Sequence, residues 1–410
     1  MADFFTILNY QGSKRNLIEF IQQHSAEYIR PGKAILDIFS GSGAVGYSYK
    51  QGHTVFANDS EYYSSIISRA LLGDRPAVPL QALEQRLQSG AQANFQALSL
   101  GRAPLLAKER ALIAARDSDG LTNFYPTLPT LWNGQIPHGG THPCWELFTT
   151  YYPASYFGLE QAMVIDSLRC AISGEPAALQ DILLACLYYA MKECVFSKDG
   201  HMAQPLAPEK NKVKLLNRRE RSVGHLFQKK LHEFYDPAFV APAGQNRVYN
   251  LDFLELLALP EIQDQVGFIY ADPPYTDMQY SRYYHLLNIV SKYNYPAPTK
   301  NGKNYTVGLY TEDRFQSDLS KKHACLPAFR RLIEFSKAYH KNLAVSFAYP
   351  RDTERQKTDR YVMSVEQIQD TAAEIYGAQA VQVVSRDYTH SNNRNSTAKK
   401  VLEYLILCRD

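Results

Sequence analysis

The amino-acid sequence predicts an α/β protein with a mostly parallel, Rossmann-like sheet and a second, mostly helical domain inserted into it. Three observations support this prediction. Apolar runs of strand length alternate with helical stretches, a glycine-rich turn follows the first run, and a long helical region interrupts the alternation after the second run. Alternating strands and helices are typical of parallel sheets, in which each crossover between strands is usually a helix.

Seven short apolar runs indicate strands. The first two flank a helical stretch that begins with small residues, and together they predict a βαβ unit. The last two are separated by a polar stretch rich in turn-forming residues. We therefore expect a terminal hairpin, with the final strand antiparallel in an otherwise parallel sheet. The predicted strands are residues 34–39, 53–58, 247–250, 266–271, 342–348, 379–386 and 400–408.

The chain has 410 residues, which is enough for two or three domains. We expect residues 1–72 and 246–410 to form the sheet-bearing domain, and residues 73–245 to form a separate, inserted domain. The insertion contains an irregular aromatic stretch and several segments with helical character. Those segments are residues 79–97, 104–116, 159–172 and 178–193.

The composition narrows the class of protein. Lys and Arg total 44 against 41 Asp and Glu, so any nucleic-acid surface must be local. The six cysteines form no CxxC pair and no zinc-like cluster with histidine, so we expect reduced thiols and no metal. No signal-peptide layout and no apolar run of bilayer length is apparent, so we expect a soluble, cytoplasmic protein.

The glycine-rich turn follows the first predicted strand and indicates a ligand site. Gly41 and Gly43 allow a tight turn and a close approach of the backbone to a ligand. By itself such a turn could bind a dinucleotide or simply connect a strand to a helix. Asp37 just before the turn would repel a pyrophosphate and favours a cationic or amine-bearing ligand. Asp59, at the tip of the second strand, can accept both hydroxyls of a ribose.

A second motif follows the fourth predicted strand. Asp272, Pro273, Pro274 and Tyr275 come directly after the run VGFIYA. The prolines donate no N–H, so the Asp272 carboxylate and the Pro273 carbonyl can each accept one hydrogen of an exocyclic amine. Tyr275 offers an aromatic face on which a base can stack. The carboxyl ends of adjacent central strands would bring this motif close to the glycine-rich turn.

These motifs and their order resemble the N6-adenine DNA methyltransferases. The chain is similar to the group in which an NYQGSK-like segment comes first, followed by the cofactor loop, the target-recognition insertion and DPPY. It is also similar to the adenine methylases of type IIS restriction-modification systems. The resemblance implies a seven-stranded methyltransferase sheet, S-adenosyl-L-methionine as cofactor, and an insertion that recognises DNA.

The resemblance also implies roles for individual residues. Lys14 would meet the carboxylate of the cofactor or Asp272, and Asp59 would bind its ribose. Asp252 would accept the adenine amine of the cofactor, and Phe253 would flank the adenine ring. The implied cofactor-binding residues are Tyr10, Gly12, Lys14, Asp37, Phe39, Ser40, Gly41, Gly43, Asp59, Asp252 and Phe253.

Contacts with DNA are predicted in three places. Residues 197–230 have nine Lys or Arg and three Asp or Glu, which favours phosphate contact over a plain solvated helix face. Residues just after DPPY could line a pocket for a flipped base, and residues 391–395 form either a contact with DNA or a plain polar turn. The candidates are Lys210, Lys212, Lys214, Arg218, Arg219, Arg221, Tyr280, Arg282 and Arg394.

We therefore expect a site-specific adenine methyltransferase that flips its target base out of double-stranded DNA. This expectation fits a role in restriction-modification or defence. It also fits a monomeric enzyme with a cognate restriction endonuclease as partner. Alternatives with the same fold are methylation of RNA adenine, of cytosine N4 or of a protein glutamine. A different class of function, a non-catalytic DNA-binding homologue, is disfavoured because Asp272, Tyr275, Gly41 and Gly43 are intact.

Overall fold

A computed structural model describes most of the chain. Tyr10, Gly12 and the polar segment with Arg394 lie outside the described residues, so their predicted roles stay predictions. The described residues are 5–8, 14–198, 201–237, 239, 245–277, 279–312, 314–351, 353, 358–388 and 401–410.

The described residues form strands and helices close to the predicted positions. The strands are β1 (Ala34–Asp37), β2 (Val55–Asn58), β3 (Arg247–Tyr249), β4 (Val266–Ala271), β5 (Lys300–Asn301), β6 (Asn304–Tyr305), β7 (Asn342–Pro350), β8 (Val381–Tyr388) and β9 (Val401–Cys408). The helices are α1 (Ile18–Ser25), α2 (Ala44–Tyr49), α3 (Tyr62–Leu72), α4 (Leu80–Ser99), α5 (Ala103–Ala114), α6 (Ser118–Phe124), α7 (Leu147–Tyr151), α8 (Leu159–Ser173), α9 (Ala177–Cys194), α10 (Lys212–Arg219), α11 (Val223–Phe234), α12 (Phe253–Leu257), α13 (Pro260–Gln265), α14 (His285–Lys292), α15 (Cys325–Ala338) and α16 (Val365–Tyr376).

Seven of the strands form one mixed sheet in the order β3-β2-β1-β4-β7-β9-β8. The strands from β3 to β7 in this order are parallel, whereas β9 runs antiparallel to both β7 and β8. The predicted seven-stranded α/β sheet with its terminal antiparallel hairpin is therefore confirmed.

The central strands are buried because helices cover the sheet. Every residue of β1 and β4 is buried, which explains why both strands are almost continuously apolar rather than alternating. On α15, Phe329, Leu332 and Ile333 share one face and pack in the same apolar core as Ile269 of β4. This packing fixes the carboxyl ends of β1 and β4, from which the candidate site is built.

Internal contacts divide the chain into two compact units. The first unit comprises Met1–Asp74, Val240–Tyr280 and Phe315–Asp410, and it contains the seven-stranded sheet. The second unit comprises Arg75–Phe239 and Ser281–Arg314, and it contains nine helices together with β5 and β6 in its described residues.

Residues 281–314 belong to the second unit, whereas the expected division of the chain assigned them to the sheet-bearing domain. They pack within the second unit, where α14 buries Leu286, Leu287 and Ile289. The buried guanidinium of Arg169 donates hydrogen bonds to the carbonyls at the end of α14, including that of Val290 at 2.8 Å. An amphipathic helix does not reveal from its own sequence which unit it packs on, so this assignment needed the structure.

Candidate functional site

The two sequence motifs start from neighbouring strands. β1 and β4 are parallel, and Asp37 at the end of β1 lies in register with Tyr270 of β4. The backbone N–H of Ile38 donates to the Tyr270 carbonyl at 3.1 Å, which continues the pairing beyond β1. The glycine-rich turn and Asp272 therefore emerge at the same edge of the sheet, where open α/β sheets bind their ligands.

The glycine-rich turn needs glycine at position 43. Gly43 has a φ of 71°, a left-handed conformation that side chains rarely adopt, and it precedes α2 directly. A Cβ atom at this position would also lie 2.8 Å from Cδ1 of Leu71. Gly41 has a φ of 50° and is likewise left-handed. The turn is therefore tight, and its backbone is close to whatever binds there.

Asp37 is a buried carboxylate, and one of its two oxygens has no hydrogen-bond donor among the described residues. Its Oδ2 accepts a hydrogen bond from the backbone N–H of Gly46 at 3.0 Å. Its Oδ1 is also buried, and no donor among the described residues reaches it. Burial raises the pKa of Asp37 to about 7, with smaller contributions from the charges of Asp272 and Asp59. A ligand with an N–H group or a positive charge would satisfy this oxygen.

Asp59 supports the turn from the end of β2. Its Oδ2 accepts from the backbone N–H of Gly41 at 2.8 Å, and its Oδ1 accepts from the N–H of Glu61 at 2.9 Å. Burial raises the pKa of Asp59, and these backbone hydrogen bonds partly offset that rise. A carboxylate has about four acceptor sites on its two oxygens, so both can still accept a ribose hydroxyl.

The NLDF segment, residues 250–253, lies beside the end of β2. Oδ1 of Asp252 accepts from the backbone N–H of Leu254 at 2.9 Å and thereby caps α12. The rings of Phe253 and Phe39 meet edge to face, with centroids 5.6 Å apart. The structure thus brings together an acid and two aromatic rings that the resemblance assigns to the cofactor.

Asn58 holds the glycine-rich turn and the NLDF segment together, and the sequence did not predict this role. Its side-chain amide donates to the carbonyls of Ile38 and Leu251, each at 3.2 Å, and its Oδ1 accepts from the N–H of Leu251 at 3.1 Å. Its backbone carbonyl accepts from the N–H of Ser40 at 2.8 Å. Asn58 therefore connects the glycine-rich turn to the NLDF segment. The feature of the sequence that could have indicated this role is an asparagine at the end of the apolar strand β2.

Asp272 is held by a buried lysine. Nζ of Lys14 lies 2.9 Å from Oδ1 of Asp272 and 3.0 Å from Oε1 of Glu403 on β9. Lys14 is 4% exposed and Glu403 is fully buried. Glu403 in turn accepts a hydrogen bond from the Ser346 hydroxyl of β7 at 2.5 Å. The predicted contact between Lys14 and Asp272 is thus present in the structure.

The charges in this network shift its pKa values. Burial lowers the pKa of Lys14, but the carboxylates of Asp272 and Glu403 outweigh burial and raise it well above its usual value. Burial and the charge of Glu403 raise the pKa of Asp272, whereas the Lys14 ammonium lowers it. Lys14 therefore stays charged, and the Asp272 carboxylate titrates well above the range of an exposed aspartate.

Glu403 was missed because its partner lies at the other end of the sequence. The signal that could have found it is a glutamate on the inward face of an otherwise apolar strand. Along β9, Val401, Glu403 and Leu405 are buried, whereas Leu402 and Tyr404 are only partly buried. A buried acid at an inward position requires a partner.

The loop after Asp272 is fixed by a neighbouring segment. The N–H of Val362 donates to the Tyr275 carbonyl at 3.2 Å, and Thr276 pairs with Tyr361 in an antiparallel bridge. The Tyr275 ring lies nearly parallel to that of Tyr361, with centroids 6.5 Å apart, and Lys14 Nζ lies 5.5 Å from the Tyr275 centroid. The loop thus has a fixed backbone and an aromatic ring beside the charged network.

Arg219 corrects one prediction of a DNA contact. It is 4% exposed, and its guanidinium donates to the carbonyls of Ser155 at 3.1 Å and Tyr156 at 3.2 Å. The same group lies 5.2 Å from the Tyr125 ring centre. Arg219 therefore stabilises the interior of the second unit, and it is not accessible to a phosphate.

The other candidate cations differ in how far they are accessible. Lys210 and Arg282 are exposed, and Arg282 ends a short helical turn, Tyr280–Arg282. Four further cations lie at the surface of the second unit but have partners there, so a phosphate would have to compete for them. Arg221 and Lys212 form ion pairs with Glu193 and Asp119, whereas Arg218 and Lys214 donate to the backbone carbonyls of Glu193 and Ser197.

Three further findings concern the cysteines, metal sites and membrane-spanning helices. The six cysteines are free thiols. Among the described residues, no group of three or more His, Cys, Asp or Glu side chains could hold a metal ion. No helix in the described part of the chain is long and apolar enough to cross a membrane.

The fold and the site together resemble those of one class of protein. A glycine-rich turn after β1, an acid after β2 and a DPPY motif after β4 lie at one edge of a seven-stranded mixed sheet. This is the arrangement that the sequence resemblance implies for the N6-adenine DNA methyltransferases. Residues 10–99 match the family described as D12 class N6 adenine-specific DNA methyltransferase, which confirms the predicted resemblance.

Three curated relatives are named as methylases. The modification methylase LlaI of Lactococcus lactis subsp. lactis is 23% identical over 295 residues, 70% of this chain and 39% of the relative. The type II methyltransferase M.FokI of Planomicrobium okeanokoites is 26% identical over 351 residues, 83% of this chain and 44% of the relative. The modification methylase StsI of Streptococcus sanguinis is 22% identical over 334 residues, which are 81% of this chain and 43% of the relative. The chain thus spans about two fifths of the length of these relatives.

Proposed function

We propose that this protein transfers a methyl group from S-adenosyl-L-methionine to N6 of adenine in double-stranded DNA, at a specific recognition sequence. One observation supports this proposal above the others. Lys14 holds Asp272 of the DPPY motif at the same sheet edge as the glycine-rich turn and as Asp37, whose Oδ1 has no donor among the described residues. An amine acceptor and an activated methyl donor could therefore meet at this edge.

The residues of the site fit this cofactor. The buried Oδ1 of Asp37 lacks a donor among the described residues, and the α-amino group of a methionine moiety would supply one. Gly41 and Gly43 let the turn approach the ligand closely, and Asp59 lies where it can accept ribose hydroxyls. When bound, S-adenosyl-L-methionine supplies a methyl group activated by its sulfonium. The residues that would hold it are Lys14, Asp37, Phe39, Ser40, Gly41, Gly43, Asp59, Asp252 and Phe253.

The remaining chemistry is positioning. The Asp272 carboxylate and the Pro273 carbonyl each accept one hydrogen of the exocyclic amine, which localises its lone pair and directs it at the methyl group. Tyr275 stacks on the flipped base. The Lys14 ammonium favours the ionised form of Asp272. The carboxylate can therefore take up the proton that N6 releases after methyl transfer. Correct orientation can supply about 7–11 kcal/mol of the barrier reduction.

Glu403 has a positioning role in this scheme. It binds Lys14 from β9, and Ser346 fixes its carboxylate from β7. With both strands anchored in the sheet, the Lys14 ammonium has one well-defined place, and Asp272 is oriented through it. Glu403 acts through Lys14 and does not itself contact the substrate.

We also propose that the protein is the modification part of a restriction-modification or defence system. The curated relatives are named as modification methylases or as a type II methyltransferase, and this proposal extends that context to the present chain. A cognate endonuclease would then be its genetic partner, and the enzyme itself would act as a monomer. The free thiols of the six cysteines are consistent with the reducing cytoplasm.

The proposal is tested by long-read sequencing of DNA from cells that express the protein, scored for modified bases. N6-methyladenine is expected at one short motif, and Asp272→Ala should abolish it while largely sparing cofactor binding. Asp264→Ala is the matched control, because Asp264 is an exposed acid just before β4, at the opposite end of the same strand. Unmodified DNA despite soluble wild-type protein would direct attention to an RNA or protein acceptor, or to a binding role. Normal methylation by Asp272→Ala would refute the assigned mechanism.

A further inference from the structure

Helix α3 contains three serines whose side chains are fully buried. Ser64, Ser65 and Ser68 are each 0% exposed, whereas the other buried residues of α3 are aliphatic or aromatic. Serine has a lower helix propensity than alanine, and burial of a hydroxyl is unfavourable unless the hydroxyl is hydrogen-bonded. Each of these serines therefore needs a hydrogen-bond partner, and the partners of the three differ.

Ser65 has the partner that a serine within a helix commonly uses. Its hydroxyl donates to the Tyr62 carbonyl of the preceding turn at 2.7 Å, and its Oγ accepts from the Arg69 guanidinium at 3.2 Å. Both partners belong to α3, so the hydrogen bonds of Ser65 stay within the helix.

Ser64 instead binds the glycine-rich turn. Its hydroxyl donates to the Gly41 carbonyl at 2.7 Å, while the Gly41 N–H donates to the Asp59 carboxylate at 2.8 Å. Burial raises the pKa of Asp59, and hydrogen bonds from the backbone of Glu61 and Gly41 and from the Ser64 hydroxyl lower it. Ser64 therefore stabilises both the left-handed backbone at Gly41 and the carboxylate that would bind a ribose.

Ser68 binds Ser40 and leaves the Ser40 hydroxyl one role. It lies one helical turn after Ser64 on the same face of α3, and its hydroxyl donates to Oγ of Ser40 at 3.0 Å. The Ser40 backbone is also fixed, because its N–H donates to the Asn58 carbonyl at 2.8 Å and its carbonyl accepts from Gly43 at 2.7 Å. Since Oγ of Ser40 accepts, the Ser40 hydroxyl can donate its own hydrogen elsewhere. No acceptor for that hydrogen is present among the described residues.

The turn thus offers one acceptor and one donor to a ligand. Oδ1 of Asp37 is buried, and none of the described residues donates to it, so it suits an ammonium group. The Ser40 hydroxyl suits a carboxylate. Lys14, which could also meet a carboxylate, is already shared between Asp272 and Glu403. An α-amino acid moiety has one ammonium and one carboxylate, and it is therefore complementary to Asp37 and Ser40.

We propose that Ser64 and Ser68 are positioning residues that orient the glycine-rich turn for two different parts of the cofactor. Ser68 directs the Ser40 hydroxyl at the carboxylate of the methionine moiety. Ser64 fixes Gly41 and Asp59 for the ribose. Both serines act through these neighbours and do not themselves contact the cofactor. The inference rests on the proposed function, which makes S-adenosyl-L-methionine the cofactor.

Two ligands separate the two roles in calorimetric titrations of the full-length protein. S-adenosyl-L-homocysteine has the amino-acid end, whereas methylthioadenosine has the same adenine and ribose without it. Ser68→Ala should weaken binding of S-adenosyl-L-homocysteine about threefold to thirtyfold and change that of methylthioadenosine by less than about twofold, because it misdirects a hydrogen bond to a charged group. Ser64→Ala should weaken binding of both ligands by similar factors, since both contain the ribose.

Ser65→Ala is the matched control, because it removes an equally buried hydroxyl from the same helix. It should leave the affinity for both ligands close to that of the wild type. Ser40→Ala should show the same ligand preference as Ser68→Ala. The double variant of Ser40→Ala and Ser68→Ala should bind no more weakly than Ser40→Ala alone, because the two hydroxyls act as a unit.

Equal losses for the two ligands in Ser68→Ala, or no loss, would overturn the role of Ser68, as would additive losses in the double variant. A loss in Ser64→Ala that is confined to S-adenosyl-L-homocysteine would overturn the role of Ser64. Thermal unfolding shows whether each variant is folded. If Ser68→Ala is not, Ser40→Ala decides, and equal losses for the two ligands in that variant would refute the inference.

The proposed function and this inference fail in different ways. If the wild type binds neither ligand, the proposed cofactor is wrong, and the proposed function fails together with the inference. If the wild type binds both ligands and the Ser64 and Ser68 variants match it, only the inference fails.

Discussion

At the scale of single residues, the most informative feature is the sharing of the Lys14 ammonium between Asp272 and Glu403. The resemblance implied that Lys14 meets either the cofactor carboxylate or Asp272, and the structure shows the contact with Asp272. The second contact was not implied, since Glu403 lies in an apolar strand at the far end of the chain. Local sequence predicts a residue's chemistry, but its partner depends on how distant strands are placed.

Glu403→Gln should lower turnover about tenfold and shift the acid limb of the kcat/KM profile to lower pH. The charge of Glu403 raises the pKa of Asp272, so its removal lowers that pKa. Asp272 is then ionised, and able to accept hydrogen bonds from the amine, at a lower pH. The profile is measured with a duplex that contains the recognition site.

The control for this variant is Glu334→Gln, an exposed glutamate on α15, which should leave the profile where it is. Ser346→Ala should reduce turnover less than Glu403→Gln, because it removes one hydrogen bond to Glu403 and no charge. An acid limb that stays in place in Glu403→Gln would show that the charge of Glu403 does not raise the pKa of Asp272.

At the scale of elements, the seven strands of the sheet were predictable and the second unit was less so. Buried strands such as β4 leave a continuous apolar run bounded by turn residues, which sequence shows directly. β5 and β6 have two residues each and leave almost no periodic signal. The basic run at 197–230 favoured phosphate contact over a plain solvated face, but Arg219 and Lys230 are buried. Lys212 and Arg221 form ion pairs, and Lys214 and Arg218 donate to backbone carbonyls. Charge counts do not distinguish these situations.

We predict that the connection between β1 and α2 requires glycine at position 43. Gly43→Ala should destabilise the protein by about 1–3 kcal/mol, because alanine is strained at a φ of 71° and its Cβ would lie 2.8 Å from Leu71 Cδ1. It should also weaken binding of S-adenosyl-L-methionine, since relief of the clash moves the turn. Urea unfolding and calorimetric titration measure the two effects.

Gly52→Ala is the matched control for that substitution. Gly52 is exposed near the other end of the same βαβ unit, and a Cβ atom there would meet nothing within 4 Å. Its stability and cofactor affinity should stay close to those of the wild type. A Gly43→Ala variant as stable as Gly52→Ala would mean that the turn adapts without cost.

At the scale of the whole molecule, cofactor binding should appear as stabilisation that depends on pH. At a cofactor concentration of 100 times Kd, binding to the folded state alone adds about 2.7 kcal/mol, or about 5 °C in the unfolding midpoint. In the proposed cofactor site, Asp37 must be ionised to pair with the amino group of the methionine moiety, and burial raises its pKa to about 7. The stabilisation should therefore be larger at pH 8 than at pH 6.

The ligand-free protein should show the opposite trend through the same carboxylate. Because the pKa of Asp37 is higher in the folded state than in the unfolded state, the folded state binds more protons between about pH 4 and pH 7. The contribution of Asp37 to stability is therefore present at low pH and is lost as pH rises through about 7. Asp37→Asn should remove this loss and also abolish the pH-dependent gain from the cofactor. If thermal unfolding shows the same cofactor stabilisation at pH 6 and pH 8, or in Asp37→Asn, the unsatisfied oxygen of Asp37 is not where the cofactor binds.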